Sequence, residues 1–285
     1  MKINEFKVEN ERKFKLSKYD PDYIGEMGSK KDAESKLQKN IEIMADLQNK
    51  FYAYDKYSLL IIFQAMDAAG KDSAIKHVMS GLNPQGTQVF SFKQPSTEEM
   101  DHDYLWRTTK SLPERGRIGI FNRSYYEEVL VVKVHDLVKT SRIPQELVTK
   151  NIWKDRYEQI RNFEKLIYQN GTVILKFFLN VSKDEQKKRF LERLEKPSKN
   201  WKFSSADLKE RELWDEYQKC YEEAISETST KYAPWFIIPA NHKWFTRLAI
   251  SEIIVDTLKK LKIEYPKLDE EQLKNLELYK SELLK

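Results

Sequence analysis

The chain has 285 residues and carries 50 lysines and arginines against 45 aspartates and glutamates, so its formal net charge of +5 says little about its partners. A single cysteine excludes an internal disulfide and a multi-cysteine metal site, which fits a reducing compartment. No stretch approaches the roughly 18 to 20 consecutive apolar residues of a membrane span. The start of the chain lacks the apolar core of a signal peptide, since it carries Glu5, Lys7, Glu9, Glu11, Arg12 and Lys13. We therefore expect a cytoplasmic protein without membrane contact.

The first part of the chain predicts an arm, a helix and a buried strand. Residues 1–30 are polar, carry turn signals and show no sustained period, which predicts an arm on the surface. Apolar residues then recur at helical spacing from Asp32 to Tyr52, which predicts an amphipathic helix. The apolar run at 59–63 suits a strand buried on both faces of a parallel sheet. Residues 31–285 are assigned to one domain.

The rest of the chain alternates apolar runs with helical segments. Four further runs predict strands, at 89–92, 118–121, 172–179 and 235–238. Capping-box spacings predict helix starts at Ser96 with Glu99, Ser182 with Glu185, and Ser204 with Asp207. Five strands with intervening helices predict an α/β fold with a doubly wound, five-stranded parallel sheet. A polar, basic interruption at 195–203 predicts a lid, placed at about 183–211.

The loop after the first strand contains a Gly-Lys pair in the context of a phosphate-binding P-loop. Backbone N–H groups of the loop and the helix start form an anion site, and Lys71 reaches the outer phosphates. The fit is imperfect, because Ala65 stands at the first glycine position and Asp72 at the hydroxyl position. An ordinary strand-to-helix turn is the alternative. Lys71 is predicted to be catalytic, and the phosphate-binding residues are predicted to be Ala68, Ala69, Gly70, Asp72 and Ser73.

Two carboxylates and an amide are candidates for a metal site. An acid in a phosphate loop repels the ligand unless a divalent cation lies between them, so Asp67 is predicted to position Mg²⁺; a turn-forming role is the alternative. At the end of the third strand Asn122 stands where P-loop enzymes usually have an aspartate, and Glu127 is the nearest carboxylate that could replace the missing charge, so both are predicted metal ligands with Asp67. Arg123 offers a charged fork for phosphate oxygens, or a surface ion pair with Glu127 or Glu128. Together with Lys71, the predicted catalytic residues are Asp67, Asn122, Arg123 and Glu127.

Several separated strings resemble the polyphosphate kinase 2 family. They are FQAMDAAGKDS at 63–73, the SFKQPS and HDYLWR elements within 91–107, GIFNRSYYE at 119–127, QKKRF and WKFSSADLKER within 186–211, and APWFIIPA and KWFTR within 233–247. The resemblance implies a P-loop kinase fold with three α/β/α layers and a helical lid, and assembly into homodimers or homotetramers. It also implies Mg²⁺-dependent, or alternatively Mn²⁺-dependent, reversible phosphoryl transfer between inorganic polyphosphate and nucleotides.

Asn122 and Asp72 resemble the branch of the family that phosphorylates both AMP and ADP. The string Asn241-His242-Lys243 departs from the family, whose members often carry an acid before the lysine, so a role for His242 is open. A nucleotide phosphate is already ionised, since its second pKa is near 6, and no general base is needed. The four histidines have no nucleophile or metal-pair spacing.

Clustered cations would neutralise two polyanionic substrates. The predicted helix before the lid carries four of them, and a flexible polymer with a charge at every repeat would bind such a row. A solvated helix face balanced by Asp184, Glu185, Glu192 and Glu195 is the alternative. The predicted substrate-binding cations are Lys76, Lys93, Arg107, Lys187, Lys188, Arg189, Arg193 and Arg211, and the row continues through Lys199, Lys202 and Lys209.

Two other functions compete with polyphosphate-dependent transfer. A nucleotide kinase with ATP as donor would share the P-loop, the lid and the lack of a base. A non-catalytic binder of polyanions or nucleic acid would share the cations, but the pI of about 8.9 is modest and no recognition motif for nucleic acid is present. We therefore expect no nucleic-acid partner. Trp106, Trp201, Phe203 and Trp244 could stack on a nucleobase or pack in the core or lid, and the sequence assigns neither.

Overall fold

The structure is a computed structural model that describes residues 1–8 and 14–285; Glu9, Glu11, Arg12 and Lys13 of the predicted arm lie outside these residues. The strands are β1 (Lys7–Val8), β2 (Ser58–Gln64), β3 (Thr87–Ser91), β4 (Ile118–Asn122), β5 (Thr172–Asn180) and β6 (Trp235–Pro239). The α-helices are α1 (Lys30–Tyr54), α2 (Lys71–Val78), α3 (Thr97–Met100), α4 (Trp106–Thr109), α5 (Val131–Val134), α6 (Ile152–Gln169), α7 (Lys183–Glu195), α8 (Pro197–Asn200), α9 (Ala206–Glu212), α10 (Trp214–Thr228), α11 (Lys243–Lys260) and α12 (Glu270–Leu283).

The sheet has the strand order β1-β6-β5-β2-β4-β3. The five predicted strands are present, each within two residues of its predicted bounds, and all of them pair in parallel. The predicted number of strands was wrong, because β1 adds a sixth strand that pairs antiparallel with β6. A strand of two residues is too short to give an alternating pattern, so the sequence did not indicate it.

The N-terminal segment packs into the molecule more deeply than the predicted surface arm. Phe6, Val8, Phe14 and Leu16 are all buried. The ring of Phe6 lies 6.2 Å from the ring of Phe245 on α11, edge to face. The prediction of a surface position was wrong for these side chains, because four apolar residues without a regular period gave no sign of burial.

Helices cover a sheet whose central strand, β2, is buried along its whole length. All seven side chains of β2 are buried, as its continuous apolar run predicts. Helices α1, α2 and α11 pack on one another, and α5, α6 and α10 form a second group. The α/β fold with helical layers is therefore confirmed. Among the described residues, no helix combines the length and the apolar character that a membrane crossing needs.

Local capping signals place the helix starts near the site. Ser96 and Glu99 form a reciprocal capping box at α3, and the Ser182 hydroxyl accepts from the backbone N–H of Glu185 at α7. The third predicted start is displaced, because α9 begins at Ala206, two residues after Ser204. The Ser204 hydroxyl accepts from the backbone N–H of Ala206 at 3.2 Å, so this serine caps the turn that leads into the helix.

The strand order positions a ligand site at the carboxyl-terminal ends of the parallel strands. The chain runs from β2 outward to β3, returns to β4, and then crosses to β5 and β6 on the other side of β2. Ligands of open α/β sheets bind beyond the carboxyl ends of the strands where the direction of winding changes. That position corresponds to the loops after β2 and β4, which carry the predicted P-loop and Asn122-Arg123.

Candidate active site

The loop between β2 and α2 turns on two residues with positive φ. Gly70, the N-cap of α2, has φ +109°, and Ala68 has φ +61°. A Cβ on Gly70 would meet Arg189 Nη1 only at 3.7 Å, an ordinary contact, so the backbone conformation and not lack of space requires glycine here. The loop therefore has the sharp geometry that directs a helix N-terminus toward the cleft, as the P-loop motif predicts.

Lys71 begins α2 and lies half-buried in this loop. Its Nζ donates a hydrogen bond to the backbone carbonyl of Ala65 at 2.8 Å. Burial, and next the charge of Arg123, lower the pKa of Lys71, while Asp67, Glu127 and Asp72 act in the opposite direction. The lysine is thus a cation whose charge is only partly compensated, at the position where a P-loop lysine contacts phosphate oxygens.

Asp67 and Arg123 form an ion pair between the two loops. Arg123 Nη2 lies 3.0 Å from Asp67 Oδ1, and the backbone N–H of Arg123 donates to the carbonyl of Phe63 at 3.0 Å. Arg123 has φ +64°, so a strained residue places this guanidinium at the strand end. Burial opposes its charge, but Glu127 and Asp67 outweigh this effect and raise the pKa of Arg123. The alternative pair with Glu128 does not form, because Glu128 pairs with Arg156 at 2.6 Å.

Two of the departures from the usual P-loop pattern, Asp72 and Asn122, contact each other. Asn122 Nδ2 donates to Asp72 Oδ1 at 2.6 Å. Ser73, one position beyond the usual hydroxyl residue, accepts a hydrogen bond from Arg247 Nη2 at 2.9 Å. The Asp72 carboxylate, from the start of α2, therefore lies beside the strand end at which general P-loop enzymes have an aspartate.

Glu127 lines a second cavity beside the main cleft. It is half-buried and borders this cavity of about 180 Å³ together with Asp67, Arg123, Asp207 and Tyr217. Burial raises the pKa of Glu127, and Arg123 and Lys71 partly offset this rise. Glu127 therefore shares the second cavity with Asp67 and Arg123 and does not line the main cleft.

The oxygen ligands at the loop ends fit a divalent cation that is shared with phosphate. Asp67, Asp72 and Asn122 line the main cleft and offer two carboxylates and an amide oxygen. Within residues 1–8 and 14–285, no group of three or more His, Cys, Asp or Glu residues forms a site enclosed by protein ligands alone. Mg²⁺ at phosphoryl-transfer sites is held by one or two carboxylates, with substrate phosphates and waters as the other ligands. The donor set is of this open kind.

Arg189 connects three parts of the site. Its guanidinium donates to the carbonyls of Ala68 and Ala69 at 3.1 and 2.6 Å, and to those of Ala240 and Asn241 at 2.6 and 3.0 Å. Its Nε donates to Glu185 Oε1 at 2.8 Å, and the residue is only 5% exposed. Although Arg189 borders the cleft, these bonds commit its donors to the protein. It ties α7 to the P-loop and to the loop after β6.

The main cleft has a volume of about 780 Å³ and is strongly cationic. It opens over the P-loop and extends from the end of β3 to the lid. The acids among its described lining residues are Asp67, Asp72 and Glu192, and its cations are Lys71, Lys93, Arg123, Arg189, Arg193, Lys199, Lys202 and Lys243. The sequence reasoning missed Lys243 as a site residue; its signal was its position directly after the last strand of the sheet.

Other predicted substrate-binding cations lie away from the cleft lining. Lys76, Lys187 and Lys188 are exposed elsewhere. Arg107 donates to the carbonyl of Lys93 at 2.8 Å and pairs with Glu99, and Arg211 donates to the carbonyl of Lys183 at 2.7 Å. These two arginines fix neighbouring segments that carry cleft residues. The predicted row on α7 is therefore divided, because successive residues of a helix point in different directions.

The segment predicted as a lid consists of α7, α8 and α9. Arg193 near the end of α7 contacts Asp207 Oδ2 at 3.3 Å and donates to the carbonyl of Lys202 at 3.2 Å. These contacts hold the connection between α8 and α9 close to α7. The lid bounds at about 183–211 stay a prediction.

Comparisons with known proteins identify relatives of this chain. A family model described as polyphosphate kinase 2 matches residues 27–266. A protein of Rhodopseudomonas palustris named ADP-polyphosphate phosphotransferase is 50% identical over 291 residues, covering 100% of this chain and 99% of the relative. A Meiothermus ruber protein named AMP/ADP-polyphosphate phosphotransferase is 45% identical over 265 residues, covering 93% of this chain and 96% of the relative. The crystal structure of polyphosphate kinase 2 from Arthrobacter aurescens TC1 has a TM-score of 0.87 and 39% identity, and covers 96% of this chain and 95% of that one.

Proposed function

The chain belongs to the polyphosphate kinase 2 family, and from this premise we propose that it transfers the terminal phosphoryl group of inorganic polyphosphate to ADP and to AMP. The observation that carries the proposal is the cationic cleft above Lys71, at the carboxyl ends of the parallel strands. Such a cleft suits two substrates that are both polyanions. Relatives at 50% and 45% identity are named as polyphosphate phosphotransferases of ADP and of AMP and ADP.

The reaction exchanges one P–O bond for another. An oxygen of the β-phosphate of ADP attacks the terminal phosphorus of polyphosphate, and the bond from that phosphorus to its bridging oxygen breaks. The products are ATP and a polyphosphate shorter by one unit, and with AMP the same exchange gives ADP. Because the attacking oxygen is already ionised near neutral pH, no protein group has to remove a proton.

The roles of the residues follow from their positions and charges. Lys71 stabilises the charge on the moving phosphoryl group, and Arg123, oriented by Asp67, places a second cation at the end of β4. Arg189 holds the loop carbonyls, so that the backbone N–H groups of the P-loop face the substrate. Lys93, Arg193, Lys199, Lys202 and Lys243 line the remainder of the cleft, where the polymer and the nucleotide phosphates lie in this proposal.

We propose Mg²⁺ as the divalent cation. Asp67, Asp72 and the Asn122 amide oxygen are the residues that would hold it, with Glu127 beside Asp67 in the second cavity. When bound, Mg²⁺ supplies positive charge to the phosphate oxygens. Mn²⁺ accepts the same oxygen ligands, so the metal requirement is tested with both ions.

A donor and acceptor matrix tests the proposed function. Purified protein is incubated with Mg²⁺ or Mn²⁺, with polyphosphate or ATP as donor, and with AMP, ADP or GDP as acceptor, and the nucleotide products are separated. We expect ATP from ADP, and ADP followed by ATP from AMP, with polyphosphate as donor. Activity with ATP alone as donor would instead identify a conventional nucleotide kinase, and no transfer in any combination would refute an enzymatic role.

AMP is the acceptor that separates the names of these two relatives, because one of them is named for ADP alone. The feature that motivates AMP as an acceptor here is the resemblance of Asn122 and Asp72 to the branch of the family that phosphorylates both AMP and ADP. ATP formed from ADP, with no ADP formed from AMP at saturating polyphosphate, would restrict the proposal to ADP. The assembly into dimers or tetramers stays a prediction, which light scattering measures.

A further inference from the structure

Trp201 exposes its indole ring into the active-site cleft. It follows α8 in the predicted lid, lines the cleft, and is 77% exposed. Its Nε1 donates to the carbonyl of Ser198 at 3.1 Å, so one edge of the ring is fixed to the lid backbone. Large aromatic side chains are normally mostly buried, because removal of their apolar surface from water is favourable. An exposed indole at this position therefore indicates a partner outside the described contacts.

The rest of the cleft offers a base no comparable surface. Among the described residues that line the cleft, the other aromatic residue is Phe92. Phe92 is 9% exposed, because Phe121 packs against it at 4.9 Å and the guanidinium of Arg107 lies 5.1 Å from its ring centroid. Trp201 is thus the aromatic face that a ligand in the cleft meets.

The surroundings of Trp201 show which part of a ligand it suits. Lys199, Lys202 and Arg193 line the same end of the cleft, and Lys202 Nζ lies 5.0 Å from the centroid of the indole ring. Polyphosphate has no apolar or aromatic surface, so an indole adds nothing to its binding. A nucleotide combines a flat base with phosphates, and a ring surrounded by cations matches both parts. Stacking on an aromatic side chain tolerates every base, since every base has a π-face.

We propose that Trp201 stacks on the base of the acceptor nucleotide while the neighbouring cations hold its phosphates. The inference rests on the proposed function, since it names the group that recognises the nucleoside part of the acceptor. The amide of Asn122, which lines the cleft, already donates to Asp72, and most of the other polar side chains there are charged. The cleft therefore offers few neutral hydrogen-bonding groups that could distinguish one base from another. Recognition by stacking therefore predicts that adenine and guanine nucleotides bind with similar affinity.

Steady-state kinetics of three variants test the stacking role. The variants are Trp201→Ala, Trp201→Phe and the control Leu208→Ala, which removes a side chain that is 50% exposed on α9 and does not line the cleft. Loss of a stacking partner should raise the KM for ADP by about 5- to 100-fold in Trp201→Ala. The KM for polyphosphate should change less than about twofold, since this substrate lacks a π-face. Trp201→Phe should recover most of the loss, and the control should resemble the wild type.

Tryptophan fluorescence gives a reading that does not depend on turnover. ADP and GDP should quench the wild-type emission, inorganic triphosphate should not, and Trp201→Phe should remove the quenching. An active Trp201→Ala variant with an unchanged KM for ADP would overturn the inference. Equal rises in the KM for ADP and the KM for polyphosphate would also overturn it, because the ring would then only pack within the lid. If the wild type transfers no phosphate, the proposed function fails. Quenching by ADP and GDP but not by triphosphate would still support stacking on Trp201, and the absence of such quenching would overturn the stacking proposal.

Discussion

Replacement of Arg189 by alanine should disable the phosphate-binding loop without removing a substrate contact. Its guanidinium makes five hydrogen bonds, two of them to the P-loop carbonyls of Ala68 and Ala69, at distances between 2.6 and 3.1 Å. In Arg189→Ala the buried carbonyls of Ala69 and Ala240 lose their donor, and the partly exposed carboxylate of Glu185 loses its partner. Ala68, which already has positive φ, would then lack the contact that holds its conformation.

The size of the effect follows from the burial of this group. Removal of one member of a buried charged pair typically destabilises a protein by about 3–5 kcal/mol. For a chain of this size each kcal/mol lowers the melting temperature by roughly 2–4 °C, so Arg189→Ala should melt about 10 °C lower. Arg189→Lys retains the positive charge, but an ammonium lacks the planar fork that reaches two loops at once. We expect Arg189→Lys to keep most of the stability and to lose activity.

Stability and kinetics measured together separate positioning from folding. The melting temperature, the kcat and both KM values are measured for the wild type, Arg189→Lys, Arg189→Ala and Leu191→Ala, an exposed position on the same helix. Arg189→Lys should lose at least about tenfold in kcat at temperatures where it is fully folded, a loss typical of a displaced catalytic group. If its kcat stayed at the wild-type value while stability fell, Arg189 would be a structural residue, and the positioning role would be refuted.

Three further predictions concern the charges of the cleft. Lys71→Ala should reduce kcat by at least about a hundredfold with an unchanged melting curve, because the lysine stabilises charge on the phosphoryl group; an active variant would contradict its catalytic role. Lys243→Ala should raise the KM for long polyphosphate and make that KM less dependent on salt. Lys188→Ala, outside the cleft, should change the KM and its salt dependence little. A larger effect of Lys188→Ala than of Lys243→Ala would place the polymer on the outer face of α7. Burial raises the pKa of Glu127, so its carboxylate becomes protonated as the pH falls through a value above the ordinary pKa of about 4.3. Glu127→Gln should therefore remove this acidic step from the pH profile of kcat. An unchanged profile would exclude Glu127 as the origin of the step.

Much of the fold could be predicted from the sequence, because its signals are local. A fully buried parallel strand is a continuous apolar run, and β2 and β5 match their predicted bounds to within one residue. The Gly-Lys pair after β2 indicated the P-loop, and the positive φ of Gly70 is the property that the glycine supplies. β1 has only two residues, and its place beside β6 depends on a pairing between distant parts of the chain.

The roles of individual cations could not be predicted, because they depend on helix phase and on distant partners. Lys188 and Arg189 are adjacent in the sequence, yet one is exposed and the other is 5% exposed beneath the P-loop. Arg189 has four carbonyl partners that belong to loops more than 50 residues away. No composition or spacing rule assigns those partners. Lys243 follows the last strand of the sheet, but that it lines one cleft together with the cations of the lid could be seen only in the fold.

The departures from the usual P-loop pattern at positions 72 and 122 are explained by each other. Asp72 and Asn122 are 50 residues apart, and in the structure Asn122 Nδ2 donates to Asp72 Oδ1 at 2.6 Å. An aspartate at 122 would bring two carboxylates to that distance, and like charges so close strongly disfavour joint ionisation. A serine or threonine at 72 would leave the strand end with an amide and no carboxylate. Aspartate at 72 with asparagine at 122 keeps one carboxylate at the strand end, in addition to that of Asp67, for the divalent cation that the proposed transfer uses.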